Sequence, residues 1–159
     1  MYREIEFRGK RIDEYAPGTM VYGSLYQNKD GRCFIRVETN DKLDMFEVDP
    51  SSVGQYTGKK DMDGNKIFEN DLVKLVTKDF FRIFKVVYGE TERAVDPLDG
   101  FEDNGETTVV EINGWMYELV YASDFDCSGE NIVLLPMIDE YGLTDTCKMS
   151  VINTDYDGK

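Results

Sequence analysis

Apolar and polar positions in this chain alternate mostly with a period of two, in short runs broken by turn-forming residues. In Arg3-Glu4-Ile5-Glu6-Phe7-Arg8, Ile5 and Phe7 fall on one face and the charges on the other, which predicts a half-buried strand over residues 3–8. Residues 20–26 and 32–37 flank Asn28-Lys29-Asp30-Gly31. In the second run Cys33, Ile35 and Val37 alternate against Arg32, Phe34 and Arg36, so the pair predicts a hairpin.

Residues 45–48 read as a strand stopped by Asp49-Pro50-Ser51-Ser52, where proline and small polar residues favour a turn. That turn is the expected boundary between an N-terminal β lobe, residues 1–52, and a barrel-like lobe, residues 53–152. Residues 153–159 are expected to form a flexible tail. Within the second lobe, residues 67–76 and 80–88 read as β runs rich in large apolar side chains. Residues 89–106 combine Gly, Pro and acids without periodicity and are expected to form a long loop. Asn113-Gly114 between residues 107–112 and 115–121 predicts a second hairpin, because a two-residue type I′ turn needs positive φ at both positions. Residues 131–137 read as a further strand. The expected fold is mainly β, built of small barrel-like antiparallel β lobes with little helix.

Composition supports folding. The 159 residues include ten Tyr, nine Phe and one Trp but only four Pro, enough large apolar side chains to offset ordering entropy without disulfide or metal staples. Cys33, Cys127 and Cys147 are odd in number and widely spaced, which fits neither a secreted disulfide framework nor a CxxC metal pair. The N-terminal MYREIEFRGK lacks the apolar core of a signal peptide, and no run is long and apolar enough to span a membrane, so a cytoplasmic location with no membrane contact is expected. Histidine is absent, which removes Ser-His and Cys-His nucleophile activation and the commonest general base near neutral pH.

The formal net charge of −14 is unevenly placed. Residues 1–37 carry seven bases against five acids (+2), and residues 38–88 eight against ten (−2). Residues 89–145 carry one base, Arg93, against fifteen acids (−14). Nucleic-acid affinity comes largely from Lys and Arg displacing counterions, so this segment argues against direct nucleic-acid binding. A solvated acidic region is the plain reading; cation binding and docking to a basic partner are the sharper ones.

In the centre of the chain, Asp63-Gly64-Asn65 precedes Ile67-Phe68, and Gly64 can supply the positive φ of a tight turn into a strand. Glu69-Asn70-Asp71 then interrupts the apolar run, with Asn70 tolerant of left-handed geometry, before Leu72-Val73-Lys74-Leu75 resumes it. Asp61-Met62-Asp63-Gly64 also resembles the middle of an EF-hand loop. The register fails: with Gly64 sixth, the first position is Lys59 and the twelfth Asn70, where acids are needed. A structural turn is therefore expected.

Val53-Gly54-Gln55-Tyr56-Thr57-Gly58, Lys60-Asp61, Asp63-Gly64, Lys66-Ile67 and Asp71-Leu72-Val73 resemble the signature segment of the YopX family. Arg3-Glu4-Ile5, Phe7-Arg8-Gly9-Lys10 and Val21-Tyr22-Gly23-Ser24-Leu25 are similar to that family's opening. The resemblance covers roughly the first half; Asn70 departs from the commoner glycine between the two acids. It implies a mainly β protein of phages, prophages or related mobile elements, with a tendency toward homo-oligomers. The family's function is uncharacterised, so no catalytic residues carry over.

Among individual groups, Asp124, Asp126 and Cys127, with Glu130 nearby, bring carboxylates and a thiol together between two expected strands. Divalent-metal binding or acid–base chemistry is the functional reading, a polar connecting loop the structural one. Trp115 and Tyr117 read as packing residues rather than a binding pair, and Arg8-Lys10-Arg11 as a solvated basic edge. No cofactor is implied. The sequence favours a non-enzymatic interaction or oligomeric assembly module, with a host or phage protein as the expected partner. An acidic decoy for a host nucleic-acid-binding protein and a metal-dependent hydrolase are the alternatives.

Overall fold

The computed structural model describes residues 2–95, 108–124, 126, 134–137 and 149–152. Two antiparallel sheets carry the fold. The first contains β1 (Phe7–Lys10), β2 (Met20–Gln27), β3 (Cys33–Thr39), β4 (Lys42–Val48), β5 (Gly54–Lys60) and β6 (Lys66–Phe68), in the order β4-β3-β2-β1-β5-β6. The second contains β7 (Leu72–Val76), β8 (Phe81–Val95), β9 (Thr108–Ala122), β10 (Leu134–Pro136) and β11 (Met149–Ile152), in the order β10-β9-β8-β7-β11. The protein is mainly β, and neither sheet closes into a barrel. The first comes nearest: Arg11 bridges Val48, and the Asp49 N–H donates to the Lys10 carbonyl at 2.8 Å, so the end of β4 curls round to the end of β1.

Alternation in β2 and β3 works as its pattern requires. Leu25 opposes Ile35, and Gln27 opposes Cys33, with Cys33, Ile35 and Val48 buried in a core that Phe7, Val21 and Val37 complete. Two features close the hairpins on either side of β3. Gly31, at φ 82°, ends the turn in which the Asn28 side chain accepts from the N–H groups of Asp30 and Arg32. Asn40 and Asp41, at φ 41° and 68°, provide the two left-handed positions of the β3–β4 turn. Asp49 caps a single 3-10 turn, Pro50–Ser52, by accepting from the Ser51 N–H at 3.0 Å. The second sheet buries Val73, Leu75, Phe84, Val86 and Tyr117 together with Ile67, Met137 and Met149. Tyr117 is thus core, and Trp115 packs against that core and edge-on to Tyr88, as expected of packing residues.

Three local expectations need correction. The strand anticipated over residues 3–8 begins only at Phe7, because β2 and β5 pair with β1 from that residue onward, and Ile5 is exposed. Asn113-Gly114 makes no turn. Both lie inside β9, with Asn113 opposite Glu90 and Gly114 opposite Gly89, since a turn there would break the long β8–β9 ladder and forfeit its cross-strand hydrogen bonds. For the same reason residues 89–95, expected as loop, continue β8. The rest of that expected loop, the start of the 131–137 run and the expected tail lie outside the described residues.

β5 hydrogen-bonds to β1, so the first sheet extends beyond residue 52 to Phe68. Ile67, although on β6 of that sheet, is packed in the core of the second. The two sheets therefore meet along residues 61–72.

Candidate functional site

The turn Glu69-Asn70-Asp71 joins the sheets, and its geometry is local in origin. Asn70 adopts φ 72°, a left-handed conformation that asparagine accepts more readily than most residues. The turn is pinned to β8 from both sides: the Asn70 N–H donates to the Val86 carbonyl at 2.8 Å, and the Val86 N–H donates to the Asp71 carbonyl at 2.9 Å. Reversal at this point turns the Asp71 side chain back toward β6, where Oδ2 accepts from the Phe68 N–H at 2.8 Å.

Arg8 reaches this turn from β1. Its Nη2 lies 2.7 Å from Asp71 Oδ1 and donates to the Glu69 carbonyl at 3.2 Å, while the guanidinium sits 4.9 Å from the centre of the Phe68 ring. The side chains of the pair are only 12% and 8% exposed. Burial pushes the Asp71 carboxyl above its ordinary value; the Phe68 N–H and the Arg8 guanidinium pull the other way without cancelling it. In sequence Arg8 reads as part of a solvated basic edge with Lys10 and Arg11; in the fold it is buried against Asp71. Its sequence neighbourhood holds no sign of its partner, which lies 63 positions away by number (71 − 8).

A second buried carboxylate, Asp61, organises the adjoining β5–β6 turn. Oδ1 accepts from the N–H groups of Asp63 and Asn65 at 2.9 and 2.8 Å, and Oδ2 accepts from the Val151 N–H of β11 at 2.9 Å. Burial opposes its ionisation, but these backbone donors and the Asn65 amide outweigh that cost and hold the carboxyl below its ordinary value. Gly64, at φ 82°, supplies the left-handed position. The segment once comparable to an ion-binding loop is an Asx-type turn whose carboxylate oxygens already accept N–H donors.

Between these anchors lies an opening of about 280 Å³ lined by Glu6, Arg8, Tyr22, Lys66, Phe68 and Asp71 among others. Lys66 pairs with Glu4 and Glu6, which together raise its pKa, and its Nζ stands 5.2 Å from the centre of the Tyr56 ring. Tyr22 meets Phe68 edge-on with centroids 5.4 Å apart. Every charge in this opening that the geometry defines has an opposite charge beside it, so the arrangement joins surfaces and fixes turns.

The candidate loop residues behave differently. Asp124 pairs with Arg82 at 2.9 Å, and the hydrogen bond from that guanidinium lowers its pKa. Asp126 is exposed, and Cys127 and Glu130 lie outside the described residues, as does Cys147. Cys33 is a buried free thiol. Among the described residues no three His, Cys, Asp or Glu side chains form a group that could hold a metal ion, and no helix is long and apolar enough to cross a membrane.

The family model described as YopX protein matches residues 6–118, a span that includes Arg8, Asp61, Asp71 and the whole inter-sheet junction. No curated protein and no solved structure matches the chain.

Proposed function

Because the chain belongs to the YopX family, we propose that it serves as a non-enzymatic protein-interaction or assembly module of a phage or prophage element. The observation that carries this reading is the outer face of the first sheet. Tyr22 and Tyr26 on β2 and Leu43 and Met45 on β4 are each between 45% and 54% exposed. The register places them on one surface: Tyr26 opposes Phe34, while Arg36 stands between Ser24 and Met45. Apolar side chains gathered on one open sheet face, with arginine among them, have the character of a contact surface. The carboxylates that burial has perturbed, Asp61 and Asp71, are meanwhile engaged in holding turns and joining sheets.

A homo-oligomer is one form such a module takes, with the first-sheet face of one copy, Arg36 included, meeting that of the next. Light scattering across a concentration series tests this. Association that weakens with salt and with Tyr22→Ser/Met45→Ser supports it. A strict monomer at high concentration removes the assembly form, and failure of the same face to capture any host or phage protein removes the interaction reading.

A further inference from the structure

The geometry points to the outer half of the β8–β9 hairpin as a docking arm for a protein that presents a basic surface with an apolar centre. This inference rests on the interaction-module reading but uses a different surface from the first sheet. Among the described residues, β7 and the turn before it bond to β8 as far as Val86, and β10 with the following Met137 bonds to β9 over Trp115–Glu118. Beyond them, the pairs from Gly89↔Gly114 to Val95↔Thr108 continue as two strands with no third beside them among the described residues. A two-stranded ribbon is marginally stable alone in water, so one that projects from a sheet gains by being covered.

Both faces of this ribbon carry apolar residues in solvent. Tyr88, Val109 and Val110 are 63%, 58% and 42% exposed. Charge selects the occupant. Glu90, Glu92 and Glu111 are exposed, and Glu92 stands directly opposite Glu111, an arrangement of like charges that destabilises a strand pair. Successive carboxylates on one strand, at i and i+2, recur about every 7 Å along a rigid line. A basic partner relieves that repulsion while covering Tyr88 and Val109. Nucleic acids and anionic membranes are repelled by the same charges, and a second ribbon would bring six carboxylates together.

The test uses the full chain and a synthetic peptide in which Lys alternates with Val and Tyr, with the Glu-for-Lys peptide as control. Amide NMR shifts are expected at residues 88–92 and 109–115, with affinity falling roughly tenfold between low and physiological salt. Glu90→Gln/Glu92→Gln/Glu111→Gln weakens binding about tenfold, and Tyr88→Ser weakens it at unchanged charge. Slower amide exchange in the triple variant shows that the ribbon is intact and relieved of repulsion. Shifts spread over other carboxylates, unchanged affinity of the triple variant, or indifference to Tyr88→Ser each overturn the proposal. Self-association abolished by Tyr88→Ser also overturns it, by assigning the arm to a second copy. Tyr22→Ser/Met45→Ser leaves peptide binding intact, which separates this inference from the fate of the first-sheet surface.

Discussion

Arg8 and Asp71 form a 2.7 Å ion pair that ties the first strand of one sheet to the turn that opens the other. Removing one partner leaves the other charge buried and uncompensated. Asp71→Ala is expected to cost about 3–5 kcal/mol in urea unfolding, because it also frees the Phe68 N–H. The paired change Arg8→Met/Asp71→Leu is expected to recover more than half of that loss. Equal destabilisation of the single and double variants would show that the ion pair is not the source.

Asp61 and Asp71 impose opposite pH dependences. The Asp61 carboxyl is lowered from 3.8, so its contribution is complete above that value and disappears as pH falls through the lower folded-state pKa. The Asp71 carboxyl is raised from the same 3.8, so the folded state holds its proton more tightly and stability declines as pH rises from 3.8 through the raised pKa. The stability difference between the protein and Asp71→Asn, measured by urea unfolding, is therefore expected to shrink as pH rises across that window. A difference that is flat or grows contradicts the raised pKa.

Asn70 holds φ 72° at the junction. Asn70→Gly is expected to change stability by only a few tenths of a kcal/mol, whereas Asn70→Val costs about 1–2 kcal/mol, since a β-branched side chain resists left-handed geometry. Thermal unfolding distinguishes them. Similar behaviour of both variants would mean that the turn relaxes to another conformation.

Asn113 lies in a continuous strand opposite Glu90. Asn113→Thr is expected to alter stability by no more than about 0.5 kcal/mol, because threonine suits a strand. A larger loss, with amide exchange opening at residues 112–115, would restore the tight turn that the Asn-Gly dipeptide suggests.

Much of the fold was legible in sequence because β alternation and turn chemistry are local. The turns at Gly31, Gly64 and Asn70 each rest on a residue whose own backbone preferences fit the required φ. Asn113-Gly114 carries an equally strong local signal, yet β8 outcompetes it by pairing along the full length of β9. The β3–β4 turn at Asn40-Asp41 has residue types that fit a type I′ turn, but no glycine marks it in the sequence. In the candidate loop, Asp124 receives Arg82 as its partner through strand pairing that no spacing announces.

By itself the sequence determined that this chain is mainly β, where several of its turns fall, and which family its central segment resembles. Those properties depend on side-chain alternation and on single-residue φ preferences, which act over a few positions. Tertiary structure alone decided that Arg8 meets Asp71, that Asp61 receives the Val151 N–H, and that Ile67 leaves its own sheet's core for the other. It also decided that β8 and β9 pair with each other beyond the reach of β7 and β10 among the described residues. Each of these depends on which distant strands pair and in what register, a choice made by the burial and hydrogen-bonding of the whole chain.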